Sequence, residues 1–130
     1  MRSILLDTNA YSNLLRGDQE VLAAIGRADE VLMSAIVLGE LYQGFRGGSR
    51  YHENARLLQE FMADPIVCEL SVSSETSELF GKIKQELKTA GTPIPINDVW
   101  IACQCLQSGA TLVSNDRHFS VVPGLRLWNS

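Results

Sequence analysis

Cysteine is scarce in this chain and histidine scarcer, with three cysteines, Cys68, Cys103 and Cys105, and two histidines, His52 and His118. No C-x-x-C pair and no Cys/His cluster occurs, which excludes a zinc site of the usual ligand spacing. An odd, sparse set of thiols does not make a disulfide framework either. The thiols read as small buried hydrophobes in a reducing compartment, so the cytoplasm is the expected location. No run of 18 apolar residues is present, and no membrane-spanning helix is expected. The apolar stretch after Met1-Arg2-Ser3 is too short for a signal peptide. Positive charge is in deficit too: fifteen acidic residues face eleven basic ones, a net charge of −4. The basic footprint of a generic nucleic-acid binder is therefore absent. A polyanion partner would have to be met by a local basic patch or through bridging metal ions.

What is present is an ordinary globular composition. The chain has 130 residues, 45% of them apolar, enough for one core and too few for two. We expect a single domain over 1–130, with no repeat, linker or low-complexity segment. Short apolar runs at 3–6, 30–33, 66–68 and 111–114 read as buried strands, with a further short candidate at 125–127. Helical patterns lie between them, at 9–16, 20–28, 35–45, 50–63, from Ser73 or Ser74 to about 88, and 98–108 with Asn97 as its cap. In the third of these, Leu38, Leu41, Tyr42 and Phe45 recur at i, i+3, i+4 and i+7, a single apolar stripe. In the fifth, Glu75 and Glu78 stand near the start and Lys84 and Lys88 near the end, matching the helix dipole. Gly91-Thr92-Pro93 and Gly109 supply stops. Apolar strands alternating with helices imply a three-layer α/β/α domain around a central, mostly parallel sheet of four to five short strands.

In such sheets the working surface lies beyond the carboxyl ends of the strands. Asp7-Thr8-Asn9 follows the first strand and Ser114-Asn115-Asp116 the last well-defined one. Asp98 falls in the first turn of its helix, and Glu40 in the second turn of the helix entered from the second strand. Four carboxylates could therefore meet at one end of the sheet. Unneutralised they repel one another, and a divalent cation removes that repulsion. Oxygen ligands without a Cys/His cluster suit Mg²⁺ or Mn²⁺ better than Zn²⁺. Such an ion activates water and stabilises charge on phosphoryl oxygens, and hydrolysis of a phosphodiester follows from these parts.

Each residue also has a plainer reading. Asp7 could cap the helix that follows it. Asp98 could answer the helix dipole. Asp116 could be a turn residue. Glu40 is flanked at i±4 by Ile36 and Gly44, an odd setting for a solvated face. His118 and Phe119 read as local packing or hydrogen bonding. Trp100, Trp128 and the Tyr42/Phe45 pair read as core or interface, and Arg46-Gly47-Gly48-Ser49-Arg50 as a solvated loop.

Four stretches carry a resemblance, in order and spread over nearly the whole chain: Leu5-Leu6-Asp7-Thr8-Asn9, the segment Ser34 to Leu41 (SAIVLGEL), Asn97 to Ala102 (NDVWIA), and Gly109 to Phe119 (GATLVSNDRHF). Together they resemble the PIN-domain family, and the small size is similar to its VapC toxins of toxin–antitoxin pairs. The resemblance implies a Mg²⁺- or Mn²⁺-dependent endoribonuclease whose acidic quartet is Asp7, Glu40, Asp98 and Asp116. It implies that the three aspartates hold metal directly or through water, and that Glu40 helps hold metal or orients the attacking water. Asn9 and Ser114 match supporting polar positions, and either Asp116 or Asn115 completes the site. The implied partners are an RNA substrate, a small antitoxin protein that blocks the active site, and a second copy of the chain. RNA contacts would then come from Arg16, Arg46, Arg50, Arg117 or other scattered positions.

Other classes fit less well. A phosphorylation receiver wants a paired acid after its first strand and a lysine after its fifth, yet no lysine follows Lys88. A phosphatase with an aspartyl nucleophile wants Asp-x-Asp, and position 9 is Asn. A non-catalytic scaffold of the same fold, an acidic-pocket binding module, would have a broken quartet, and this one is intact.

Overall fold

In the computed structural model, which describes residues 1–128, the four principal strand candidates form one sheet. The strands are β1 (Ser3–Leu6), β2 (Glu30–Ser34), β3 (Val67–Leu70) and β4 (Thr111–Val113). Their order is β3-β2-β1-β4, and every neighbouring pair runs parallel. Leu5 stands opposite Leu32 on one side and Leu112 on the other. Successive strand residues point to opposite faces. Because Ile4, Leu5 and Leu6 are all buried, as are Val31, Leu32 and Met33, both faces of the sheet are covered. Burying each of these side chains contributes roughly 1.5–3 kcal/mol. This is the three-layer arrangement expected from continuous apolar runs.

Among the described residues, six helices flank the sheet: α1 (Thr8–Leu15), α2 (Gln19–Arg27), α3 (Ala35–Arg46), α4 (Tyr51–Met62), α5 (Ser74–Ala90) and α6 (Ile96–Ser108). A 3-10 turn covers Arg117–Val121. Ser34 ends β2 and caps α3 in one step, its hydroxyl accepting from Ile36 N–H at 3.0 Å. The same hydroxyl donates to Oε1 of buried Gln104 on α6. The Gln104 amide donates in turn to the carbonyls of Leu70 and Ser71, tying α6 to the ends of β2 and β3. Ser73 caps α5 through a reciprocal pair of bonds with Thr76. Gly91 and Gly109 close α5 and α6 with φ of 72° and 74°, a conformation that favours glycine. Among the described residues, no helix is long and apolar enough to cross a membrane.

Several expected boundaries move, for local reasons. Asn97 is not the cap of α6. The helix starts two residues earlier, at Ile96, because the Pro95 carbonyl accepts from Asp98 N–H at 3.0 Å and Val99 N–H at 3.1 Å. β3 starts at Val67 rather than 66, since Asp64 holds a turn through Ile66 N–H and Val67 N–H. α5 continues to Ala90, where Gly91 stops it. The candidate strand at 125–127 meets β4 only at the bridge between Leu127 and Leu112, so the sheet has four strands. Cys68 departs from the expected burial: it lies exposed on the edge strand β3, while Cys103 and Cys105 are buried in α6.

Candidate active site

Chain order jumps from one to four between the neighbours β1 and β4, and open parallel sheets place their crevice at such a switch point. Asp7 follows β1 directly, and its N–H bonds the Val113 carbonyl at the end of β4. It is only 4% exposed. The capping reading holds: Asp7 Oδ1 accepts from Ala10 N–H at 2.7 Å. The site reading holds beside it, because a carboxylate has acceptor capacity left after one cap bond. Burial pushes the Asp7 carboxyl above the ordinary 3.8, against the lowering bonds from the Ser114 hydroxyl and Ala10 N–H. The charges of Asp116 and Asp98 push it the same way as burial.

Asp98 is the third residue of α6, half-buried, and is also raised from 3.8. Burial is the main cause; the hydrogen bond and charge of His118 oppose it, while Glu40 and Asp116 add repulsion. Glu40 reaches the group from α3, where the Thr8 hydroxyl donates to its Oε1 at 2.7 Å. Asp116 comes from the segment after β4, its N–H donating to Ser114 Oγ at 3.0 Å. Four carboxylates from four separate segments thus share one electrostatic field, with Ser114 bonded to two of them. Asn9 and Asn115 are exposed and make no hydrogen bond to the acids among the described residues. Asn115 instead lines a small hollow with Ala10, Asn13 and Asp18.

Two residues in the cluster escape sequence reasoning. Thr8, beside Asp7, restrains Glu40 across 32 positions of chain. His118 lies between two of the acids, with Nε2 at 2.7 Å from Asp98 Oδ2 and Nδ1 at 3.2 Å from Asp116 Oδ1. Its only signal in the sequence is its place two residues after Asp116. Atoms of Asp98, Asp116 and His118 lie within 4.8 Å of one another, close enough to share one ion. The donor set fits a hard divalent cation: it is mostly carboxylate oxygen, and it is held under mutual repulsion that such an ion would relieve. The aromatic residues follow their plainer readings. Trp100 stacks on Phe80 at 3.9 Å between centroids, and Tyr42 meets Phe45 edge-on at 5.8 Å. Of the four arginines named as candidate RNA contacts, Arg46 lies over the Tyr51 ring, Arg50 faces Glu53 and Arg16 bonds Asn13.

Comparison with known proteins bears on this geometry. The PIN domain family model matches residues 4–125. The chain is 29% identical over 116 residues to Ribonuclease VapC1 of Haemophilus influenzae (strain R2866), covering 86% of this chain and 85% of that protein. It is 26% identical over 129 residues to Ribonuclease VapC4 of Mycobacterium tuberculosis, covering 98% and 96%. The crystal structure of VapBC2 from Rickettsia felis, bound to a DNA fragment from their promoter, superposes with a TM-score of 0.86 at 26% identity, over 98% of each chain.

Proposed function

The chain belongs to the PIN domain family, as its four motifs imply, and on that premise we propose that it is a divalent-metal-dependent endoribonuclease, the toxin of a toxin–antitoxin pair. The observation that carries this reading is the convergence of Asp7, Glu40, Asp98 and Asp116 at the sheet's switch point. The ribonuclease names of its relatives support the same chemistry. Asp7, Asp98 and Asp116, with Glu40, would hold one or two Mg²⁺ or Mn²⁺ ions. Such an ion, when bound, lowers the pKa of water and stabilises charge on the phosphoryl oxygens.

The chain's own residues have distinct parts in the reaction. Asp7 is restrained by its cap bond and by Ser114, and has acceptor capacity left for an ion. Glu40, held at one oxygen by Thr8, offers the other to orient the attacking water. Ser114 keeps Asp7 and Asp116 in register with each other. In-line attack at phosphorus breaks the bond to the 3′-oxygen and leaves 5′-phosphate and 3′-hydroxyl ends. We assign RNA as the substrate, a small antitoxin protein as the partner that covers the crevice, and a homodimer as the assembly. The similar VapBC structures support a partnered role.

The test is cleavage of a mixed pool of structured RNAs by the purified chain in Mg²⁺, Mn²⁺ or EDTA, beside Asp7→Asn. Metal-dependent cuts at a few positions, absent in the variant, are expected. Metal binding with no cleavage of any RNA would favour an acidic-pocket binding module instead.

A further inference from the structure

The acidic quartet leaves one residue of the cluster without a part: His118. Its ring touches two acids at once, through Nε2 to Asp98 and Nδ1 to Asp116. At 2.7 Å the Nε2 contact with Asp98 is a hydrogen bond, too short for two ligands of one ion, whereas the 3.2 Å between Nδ1 and Asp116 Oδ1 is a spacing that neighbouring ligands of an octahedral ion take. A ligating imidazole ordinarily presents one nitrogen to the metal and donates its other N–H to a carboxylate, which fixes the ring. The carboxylate half of that pattern is built here, with Nε2 bonded to Asp98, and Nδ1 is left facing Asp116. The ring is also restrained from behind, tilted against Phe119 at 4.8 Å between centroids, and Phe119 is itself fully buried.

From this geometry we infer that His118 is a ligand of the ion site, supplying its one nitrogen through Nδ1 on the Asp116 side while Nε2–H donates to Asp98, and making the site select Mn²⁺ over Mg²⁺. The inference rests on the metal-dependent reading above and refines it. Mg²⁺ takes oxygen donors almost exclusively, whereas imidazole is a good donor to the later divalent ions. A site of four carboxylates alone would not separate the two ions on donor type. Adding an imidazole at the Asp98–Asp116 edge does.

The experiment uses Mn²⁺ alone as the probe. Electron spin echo spectra of the Mn²⁺-loaded chain should show ¹⁴N modulation that changes to the ¹⁵N pattern when the histidines carry ¹⁵N. His118→Gln should lose the modulation, and the ratio of Mn²⁺ to Mg²⁺ affinity, by calorimetry, should fall about tenfold or more. His52→Gln, at an exposed position on α4, should retain both. Mn²⁺ bound without nitrogen modulation in the unaltered chain, or modulation that survives His118→Gln, overturns the inference. RNA cleavage in Mg²⁺ would then still stand, so the nuclease reading survives that result. A folded, unaltered chain that binds neither ion overturns both.

Discussion

Replacing Asp7 with Asn separates the two tasks this one side chain performs. The residue is almost fully buried, caps α1 through Ala10 N–H, and carries a charge that burial and two neighbouring aspartates oppose. Asn keeps the cap acceptor and drops the charge; Ala drops both. Asn and Asp cap about equally well, and losing the cap costs about 1 kcal/mol. In EDTA, Asp7→Asn should therefore be at least as stable as the parent chain. Asp7→Ala should lie below Asp7→Asn by about 1 kcal/mol, or roughly 4 °C in melting temperature for a chain of this length.

Metal should reverse the order. The parent chain should gain about 2.7 kcal/mol with ion at a hundred times its Kd, and both variants much less. Cleavage by Asp7→Asn should fall by roughly a hundredfold or more, since a carboxylate that helps hold the ion contributes several kcal/mol to the transition state. Circular dichroism melts in EDTA and in saturating Mg²⁺, with cleavage measured alongside, test all three statements. An Asp7→Asn chain that melts below the parent in EDTA would show that the charge is not under strain. One that keeps the parent's Mg²⁺-dependent gain would show that Asp7 does not hold the ion. Either result would refute the reasoning.

Four further outcomes are expected. Asp7 and Asp98 are raised above 3.8, so the folded, metal-free chain retains protons that the unfolded chain has lost; its stability should decline as pH rises through that window. The advantage of Asp7→Asn over the parent in urea melts should accordingly widen with pH in EDTA and vanish in saturating Mg²⁺. Thr8→Val frees Glu40 without removing it, and should lower the cleavage rate roughly tenfold with little change in melting temperature. Burial pushes the Cys103 and Cys105 thiols up to about 11 and about 12, so Ellman titration of the native chain should find one fast thiol, exposed Cys68, and three after denaturation. Gln104→Leu strands the buried Ser34 hydroxyl without its acceptor, and should cost about 2 kcal/mol by urea unfolding.

The four principal strands and all six helices are legible in the sequence because burial on both faces writes continuous apolar runs such as Ile4-Leu5-Leu6, and because caps such as Ser34 and Ser73 and stops such as Gly91 and Gly109 are local chemistry. The quartet is legible for a related reason: each acid sits at a position that the strand-then-helix grammar already marks, just past a strand or in an early turn of a helix. Where the outcome depended on a neighbour elsewhere in the chain, local patterns gave no warning. Cys68 is exposed because β3 became the edge of the sheet, a fact of strand order rather than of composition. Residues 125–127 stop at one bridge because only the path of the chain past Gly124 sets how long it runs beside β4.

The same limit hid Thr8 and His118. Thr8 acquires its part when α3 brings Glu40 across the sheet's end, and His118 when the first turn of α6 meets the segment after β4. A hydroxyl or an imidazole has no periodicity and caps nothing here. Its chemistry is set by which carboxylate it faces, and that was decided by packing over separations of 32 and 20 residues. The sequence alone determined the elements and the acids they present; only the tertiary structure determined which polar side chains hold those acids in place.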